Sequence, residues 1–236
     1  TIALAAGTNI VNVADSVDIT SATITAASGT YDVNLTGTNA SSTMTSAQLK
    51  AANSFTEGSS GTKQVTVTGA LTGTTISSTI DTLVLANATN DITLGGTGQS
   101  ITGNGGADTV TMINGATGTI ALGDGANIVK IGDNVNIGGA TLSKSGSGTV
   151  ALNLSGSATS SVTVAAAHLK TVADSITEAS SGAKTVTAVG ALTGYTINTT
   201  IDTLALADAT NSVTLGAAAQ NVTGGSGADT VTMING

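Results

Sequence analysis

Two nine-residue stretches carry the residues best suited to chemistry: "GNGGADTVT" at 103–111 and "GGSGADTVT" at 224–232. Each places one aspartate, Asp108 or Asp229, after a run of glycines and before alternating Thr and Val. Glycine frees the backbone to turn so that carbonyl oxygens converge, with Gly106 and Gly227 two residues before each carboxylate. Converging carbonyls beside a carboxylate make a site for a hard cation such as Ca²⁺, which takes several oxygen ligands. The competing reading needs no metal, because Asn and Asp in tight turns bond their own backbone and one another.

Other chemistry finds little support. His168 is the only histidine, and its counterpart in the other half of the chain is Gln48, so a surface position on a helix is expected rather than a catalytic one. Glu57 and Glu178 each precede a lysine, Lys63 and Lys184, in loop-like segments and are expected to form solvated ion pairs. Asp81 and Asp202, each in "IDTL", are expected to bond a turn. No G-x-S-x-G elbow with a histidine partner exists, and no close pair of carboxylates suggests glycoside chemistry. The expectation is a protein that is not an enzyme.

The elements that position the aspartates come from repetition. "TIALAAGTNIVNVAD" from Thr1 returns as "TIALGDGANIVKIGD" from Thr119, and "IDTLVLANATNDITLG" from Ile80 returns as "IDTLALADATNSVTLG" from Ile201. The offset drifts from about 118 to about 121 residues. Two units are assigned, 1–115 and 116–236, and the shared phase of "TIAL" and "TMING" reads as an excerpt of a longer array.

Within each unit Ile92, Ile101, Val110, Ile120 and Val129 recur every nine or ten residues, separated by Gly, Asn, Asp, Ser and Thr. Such a step is half a turn of a β-solenoid, an all-β stack of short strands with small apolar side chains inside and Thr or Ser outside. The chain holds 31 Gly, no Pro, no Trp, one Phe and two Tyr, which suits thin layers of β-branched residues rather than an aromatic core. One short helix per unit is expected near 45–53, where Thr45 and Gln48 form a capping box, and near 165–174, where Ala165 replaces that threonine. A string of β-sandwiches of about 120 residues each is the alternative architecture.

One full turn of about 18 residues places Asn90, beside Asp91, before Asp108, and Asn127, near Asp124, after it. Asn211 stands in the same relation to Asp229. One edge of the solenoid should therefore carry an Asn–Asp–Asn ladder, and any metal belongs to that edge.

The nine-residue motif resembles the calcium-binding repeat of the RTX (repeats-in-toxin) family of secreted bacterial proteins. The Thr-, Ala- and Gly-rich strands between look like bacterial surface-layer proteins and giant RTX adhesins. The resemblance implies a β-roll-like fold, Ca²⁺ held at the Asp turns, and a structural role at the bacterial cell surface. It implies self-association into a lattice or filament, or else a stalk or ligand-binding module of an adhesin, with cell-surface polysaccharide as a possible partner.

Net charge of −8, six lysines and no arginine give nucleic acid no basic patch to bind. No apolar run approaches the roughly 18 residues of a membrane span. Thr-x-Thr pairs at 66–68, 109–111 and 230–232 hint at an ice-binding face, but "IALG" and "IVKI" interrupt the register that a flat face needs.

Overall fold

The computed structural model describes residues 1–157 and 159–235. Every strand pair is parallel and joins successive turns of the chain, forming a β-solenoid of about ten turns. The β-sandwich alternative is thereby excluded, since it requires antiparallel sheets.

Through the middle of the chain the strands alternate between two six-stranded sheets. One sheet runs through Asn90–Thr93, Asp108–Thr111 and Ala126–Ile131; the other runs through Thr82–Val84, Ser100–Thr102 and Thr119–Leu122. Each half-turn contributes one strand, which is the nine- to ten-residue step of the sequence. A full turn takes 18 residues between Asn90 and Asp108. It lengthens to 22 between Asn12 and Asn34 and to 24 between Asn153 and Thr177.

Side-chain alternation builds the core. In Asp108–Thr111 the residues Asp108 and Val110 point inward while Thr109 and Thr111 are half-exposed. Ile92, Val110 and Val129 stack on successive rungs and are all fully buried. Each such side chain is worth roughly 1.5–3 kcal/mol of burial, and one continuous core extends from Val13 to Leu215 across both repeats. Outside, polar rows align in the same way: Asn34 bridges Asn12 and Thr56 at 2.8 and 3.1 Å. Proline would remove a donor from these ladders, and the sequence has none.

The two expected helices are present. Ser46–Ala51 is α-helical with a complete capping box: Thr45 Oγ accepts the Gln48 N–H, and Gln48 Oε1 accepts the Thr45 N–H. Its counterpart ends in a turn of π-helix, His168–Val172, and has no side-chain cap, as expected where Ala165 stands for Thr45.

His168 does not lie on the surface. It is buried, and its Nε2 meets the Ala140 carbonyl at 3.1 Å. Gln48 is buried in the same way, donating from Nε2 to the carbonyls of Ile19 and Ala22. The imidazole thus takes over an inward-facing polar contact, because the short helix turns this position toward the core.

Candidate functional site

The ladder of carboxamides and carboxylates runs along the inside of one turn of the solenoid. Asn90 shows the arrangement of a typical rung. Its Nδ2 donates to the carbonyls of Ala86 and Ala88 in its own turn, at 3.2 and 2.9 Å. Its Oδ1 accepts the backbone N–H of Leu71 from the rung before, at 2.9 Å. Asn127 repeats this with the carbonyls of Gly123 and Gly125, and its Oδ1 accepts the N–H of Asp108 at 3.0 Å. Asn211 reaches Ala207 and Ala209 and receives the Leu192 N–H. Asn9 reaches Ala5 and Gly7. In all four, one amide nitrogen ties down the carbonyls two and four residues back.

Asp108 and Asp229 occupy the same slot with a carboxylate. Asp108 Oδ1 accepts from Asn90 Nδ2 at 2.7 Å, and Asp229 Oδ1 from Asn211 Nδ2 at 2.8 Å. The structure therefore brings Asn90, Asp108 and Asn127 into one ladder, and Asn211 and Asp229 into its copy.

The second oxygen is the anomaly. Asp108 Oδ2 is buried and has no hydrogen-bond partner. By the register of the asparagine rungs, the carbonyls four and two residues before Asp108 are those of Asn104 and Gly106. Burial pushes the Asp108 carboxyl above the usual carboxylate range, and the Asn90 amide pulls it only part of the way back. The glycines of the motif have specific tasks here. Gly106 has φ of +105°, and a Cβ there would lie 2.5 Å from the Ala88 carbonyl oxygen. A Cβ at Gly103 would lie 2.5 Å from Asp108 Oδ2.

Two lysines fill related turns, and sequence reading missed their placement. Lys63 and Lys184 form the expected ion pairs with Glu57 and Glu178, at 3.6 and 3.4 Å, but only the glutamates, 51% and 37% exposed, are solvated, and both lysine side chains are completely buried. The Lys63 ammonium donates to the carbonyls of Ser59 and Gly61, at 2.7 and 3.0 Å. Those carbonyls are four and two residues back, as in the asparagine turns. Lys184 donates to Gly182 and Ser157, at 3.2 and 3.4 Å. Asp81 and Asp202 lie one turn on, each accepting the lysine backbone N–H at 2.7 Å. The signal was available: Gly61-Thr62-Lys63 is in phase with Gly125-Ala126-Asn127, and Gly61 and Gly125 both have left-handed φ.

The remaining candidates lie apart. Asp91 adjoins Asn90 in the strand but is half-buried on the outward-facing side. Asp124 is exposed, and its carboxylate accepts the N–H and hydroxyl of Ser147, at 2.7 and 3.0 Å. Gly227 stands before Asp229 on the last rung and is exposed.

The donors at Asp108 fall short of a full calcium shell. They are one buried carboxylate oxygen and the carbonyls of its own turn, whereas Ca²⁺ takes six to eight oxygens. Among the described residues no three His, Cys, Asp or Glu side chains gather in one place. Two depressions, about 560 and 380 Å³, flank the helix of each repeat. The first has Lys50 as its charged lining residue and the second Asp174, so the repeats share no catalytic set there. Among the described residues no helix is long and apolar enough to cross a membrane. No family model, curated protein or solved structure matches the chain.

Proposed function

We propose that this chain is the repeat region of an extracellular structural protein on a bacterial surface, a surface layer or filament, whose work is to span distance and which carries no catalysis. The observation that supports this reading is the uniformity of the stack. One core runs through both repeats, each repeat carries its own copy of the inward polar ladder with the same side-chain bonds, and the most specific side chains, Lys63, Asn90, Asn127 and Asn211, tie down turns. The outer faces offer short hydroxyl and amide rows suited to lattice contacts or to cell-surface polysaccharide. The stalk of a giant RTX-like adhesin is the same mechanical role in another setting. Immuno-electron microscopy with antibody to this chain tests the reading. Label on extracellular layers or fibres is expected, and label confined to the cytoplasm overturns it.

Calcium stiffening is a second reading, favoured by one observation: the buried, unpartnered Oδ2 of Asp108. A cation there would neutralise the carboxylate and take the place that Lys63 Nζ holds between its turn carbonyls. Asp229, half-buried on the last rung, is the more accessible copy. Calorimetric titration of the chelator-treated chain with Ca²⁺ tests it. Absence of heat leaves both aspartates as turn residues and the structural role untouched.

A further inference from the structure

The two short helices fill the same place in their repeats with different side chains, and only one of those side chains can take up a proton. In the first repeat Gln48 Nε2 donates to the carbonyls of Ile19 and Ala22, at 2.7 and 2.8 Å. Its Oε1 and its backbone N–H close the capping box with Thr45. That helix is therefore both tied to the 19–22 turn and capped. Ile137 and Ala140 are the copies of Ile19 and Ala22, and the same backbone bond joins each pair. His168, at the place of Gln48, reaches only Ala140. Its Nε2 meets that carbonyl at 3.1 Å, and its buried Nδ1 has no partner. Ala165 stands where Thr45 caps, and Ala167 at the start of the turn makes no side-chain bond.

The second helix also carries one residue more. Gln48 and Phe55 are seven residues apart, whereas their copies His168 and Ile176 are eight apart. The extra residue is taken up as the π-turn. The Ala173 N–H bonds to the His168 carbonyl five residues back, where the Ala52 N–H bonds to the Gln48 carbonyl four back. Such single π-turns are rare in helices and recur at functional sites. This one still turns His168 inward, with Leu169 and Val172 buried beside it.

The surroundings decide what a proton does there. Strands Thr141–Lys144 and Ser160–Ala165 pack on the turn. The second has no ionisable side chain. On the first, Lys144 is paired with Asp174, whose other oxygen accepts the Val150 N–H. Within the turn Lys170 donates to the Thr193 hydroxyl at 3.1 Å, and burial keeps Tyr195 on the adjoining rung neutral. The nearby carboxylate is thus already engaged by a lysine. Burial holds the imidazole below its usual pKa, and the Ala140 bond offsets this only in part. An imidazolium has two N–H donors and finds one carbonyl, so a charged donor would stand unpaired in the core. Moving the ring into water relieves it, and the uncapped turn resists that less than the Gln48 helix would.

We propose that His168–Val172 is an acid-released latch: on protonation of His168 the turn leaves the Ala140 carbonyl for solvent and bares Leu169 and Val172, while the Gln48 helix stays docked. The strands on either side keep their ladders, since rungs of a solenoid contact chiefly their neighbours. One side chain and one inserted residue thereby make the second repeat respond to acid where the first does not.

His168 is the only histidine, so its ring signals in an NMR spectrum report its titration directly. Ring titration and amide hydrogen exchange are followed together on the whole chain, with exchange expressed as protection relative to the free-chain rate at each pH. The ring is expected to titrate below about 6.5, the unperturbed value. Across the same step the protection of residues 166–174 should fall about tenfold or more, as a local opening does, with residues 46–52 unchanged. His168→Gln should keep 166–174 protected throughout. A ring that titrates while 166–174 stay protected overturns the latch, because the charge is then accommodated in place. A ring that titrates at the ordinary value, or protection lost equally at 46–52, overturns it as well. These outcomes are read on the unaltered chain; an acid-dependent loss that persists in a folded His168→Gln chain overturns the assignment to His168.

Discussion

Asp108→Asn is expected to stabilise the protein, although it alters the residue that most resembles a functional one. Asn9, Asn90, Asn127 and Asn211 each donate from Nδ2 to two carbonyls of their own turn. An ionised Asp108 presents an acceptor at that place, and its Oδ2 has no partner. The variant keeps the Oδ1 bond to Asn90 and gains two buried hydrogen bonds of about 1 kcal/mol each, besides removing an unpartnered buried acceptor that costs about 1–3 kcal/mol. A net gain of about 3–5 kcal/mol corresponds to roughly 6–20 °C in melting temperature for a chain of this size. The assay is thermal melting by circular dichroism with excess chelator at neutral pH. Proton linkage supplies an internal check. Burial raises the Asp108 carboxyl, so the folded state binds a proton more tightly than the unfolded chain, whose aspartates titrate near about 3.9. The stability it contributes is full below that value and is lost as pH rises through the folded-state value. The advantage of Asn over Asp should therefore be small in acid, where a protonated Oδ2 can itself donate, and largest at neutral pH. A variant that melts at or below the wild type at neutral pH in chelator refutes the assignment of this slot to donors. If Ca²⁺ does fill it, added calcium raises the wild type and leaves the variant unmoved.

Lys63→Ala strips the buried ammonium from the turn carbonyls of Ser59 and Gly61 and should cost about 1.5–3 kcal/mol, seen as faster hydrogen exchange in residues 59–82 and a lower melting temperature. Val110→Asp should be far more damaging than Val231→Asp in parallel melts, because Val110 is sealed between rungs and its copy is exposed, and an unpaired buried carboxylate costs several kcal/mol. His168 is held below its usual pKa, chiefly by burial, so its contribution is present above about 6.5, the unfolded value, and is lost as pH falls through the folded one. His168→Gln, which installs the residue of the first repeat, should flatten that part of the pH–stability profile, and an unchanged profile would mean that His168 is not the group responsible.

How much of this was legible in the sequence depends on which physical rule governs each part. Strand faces obey hydropathy: Ile92, Val110 and Val129 recur at the right spacing, and the rung order follows from that spacing alone. The first helix announces itself through Thr45 and Gln48, whose reciprocal bonds need only local geometry. Turn interiors obey a different rule. Their occupants are chosen by the backbone carbonyls around them, so Lys63, Lys184 and His168, which read as solvated by residue type, go inward because something there must donate. The same rule places Asn90, Asn127 and Asn211, and it makes Asp108 and Asp229 the exceptions that a motif singles out. Asp91 and Asp124 stood close to the ladder in sequence, yet strand alternation turns the first outward and an exposed turn gives the second to Ser147.

Donor supply therefore unites features that residue type separates. An ammonium, a carboxamide and a carboxyl occupy equivalent turns, and the first two satisfy the carbonyls two and four residues back without help. The carboxyl satisfies them only with a proton or a cation added. A repeat built otherwise for uniformity thus carries, at Asp108, a rung whose stability depends on the solution around it. Because rungs of a solenoid contact chiefly their neighbours, that dependence stays local along the stack.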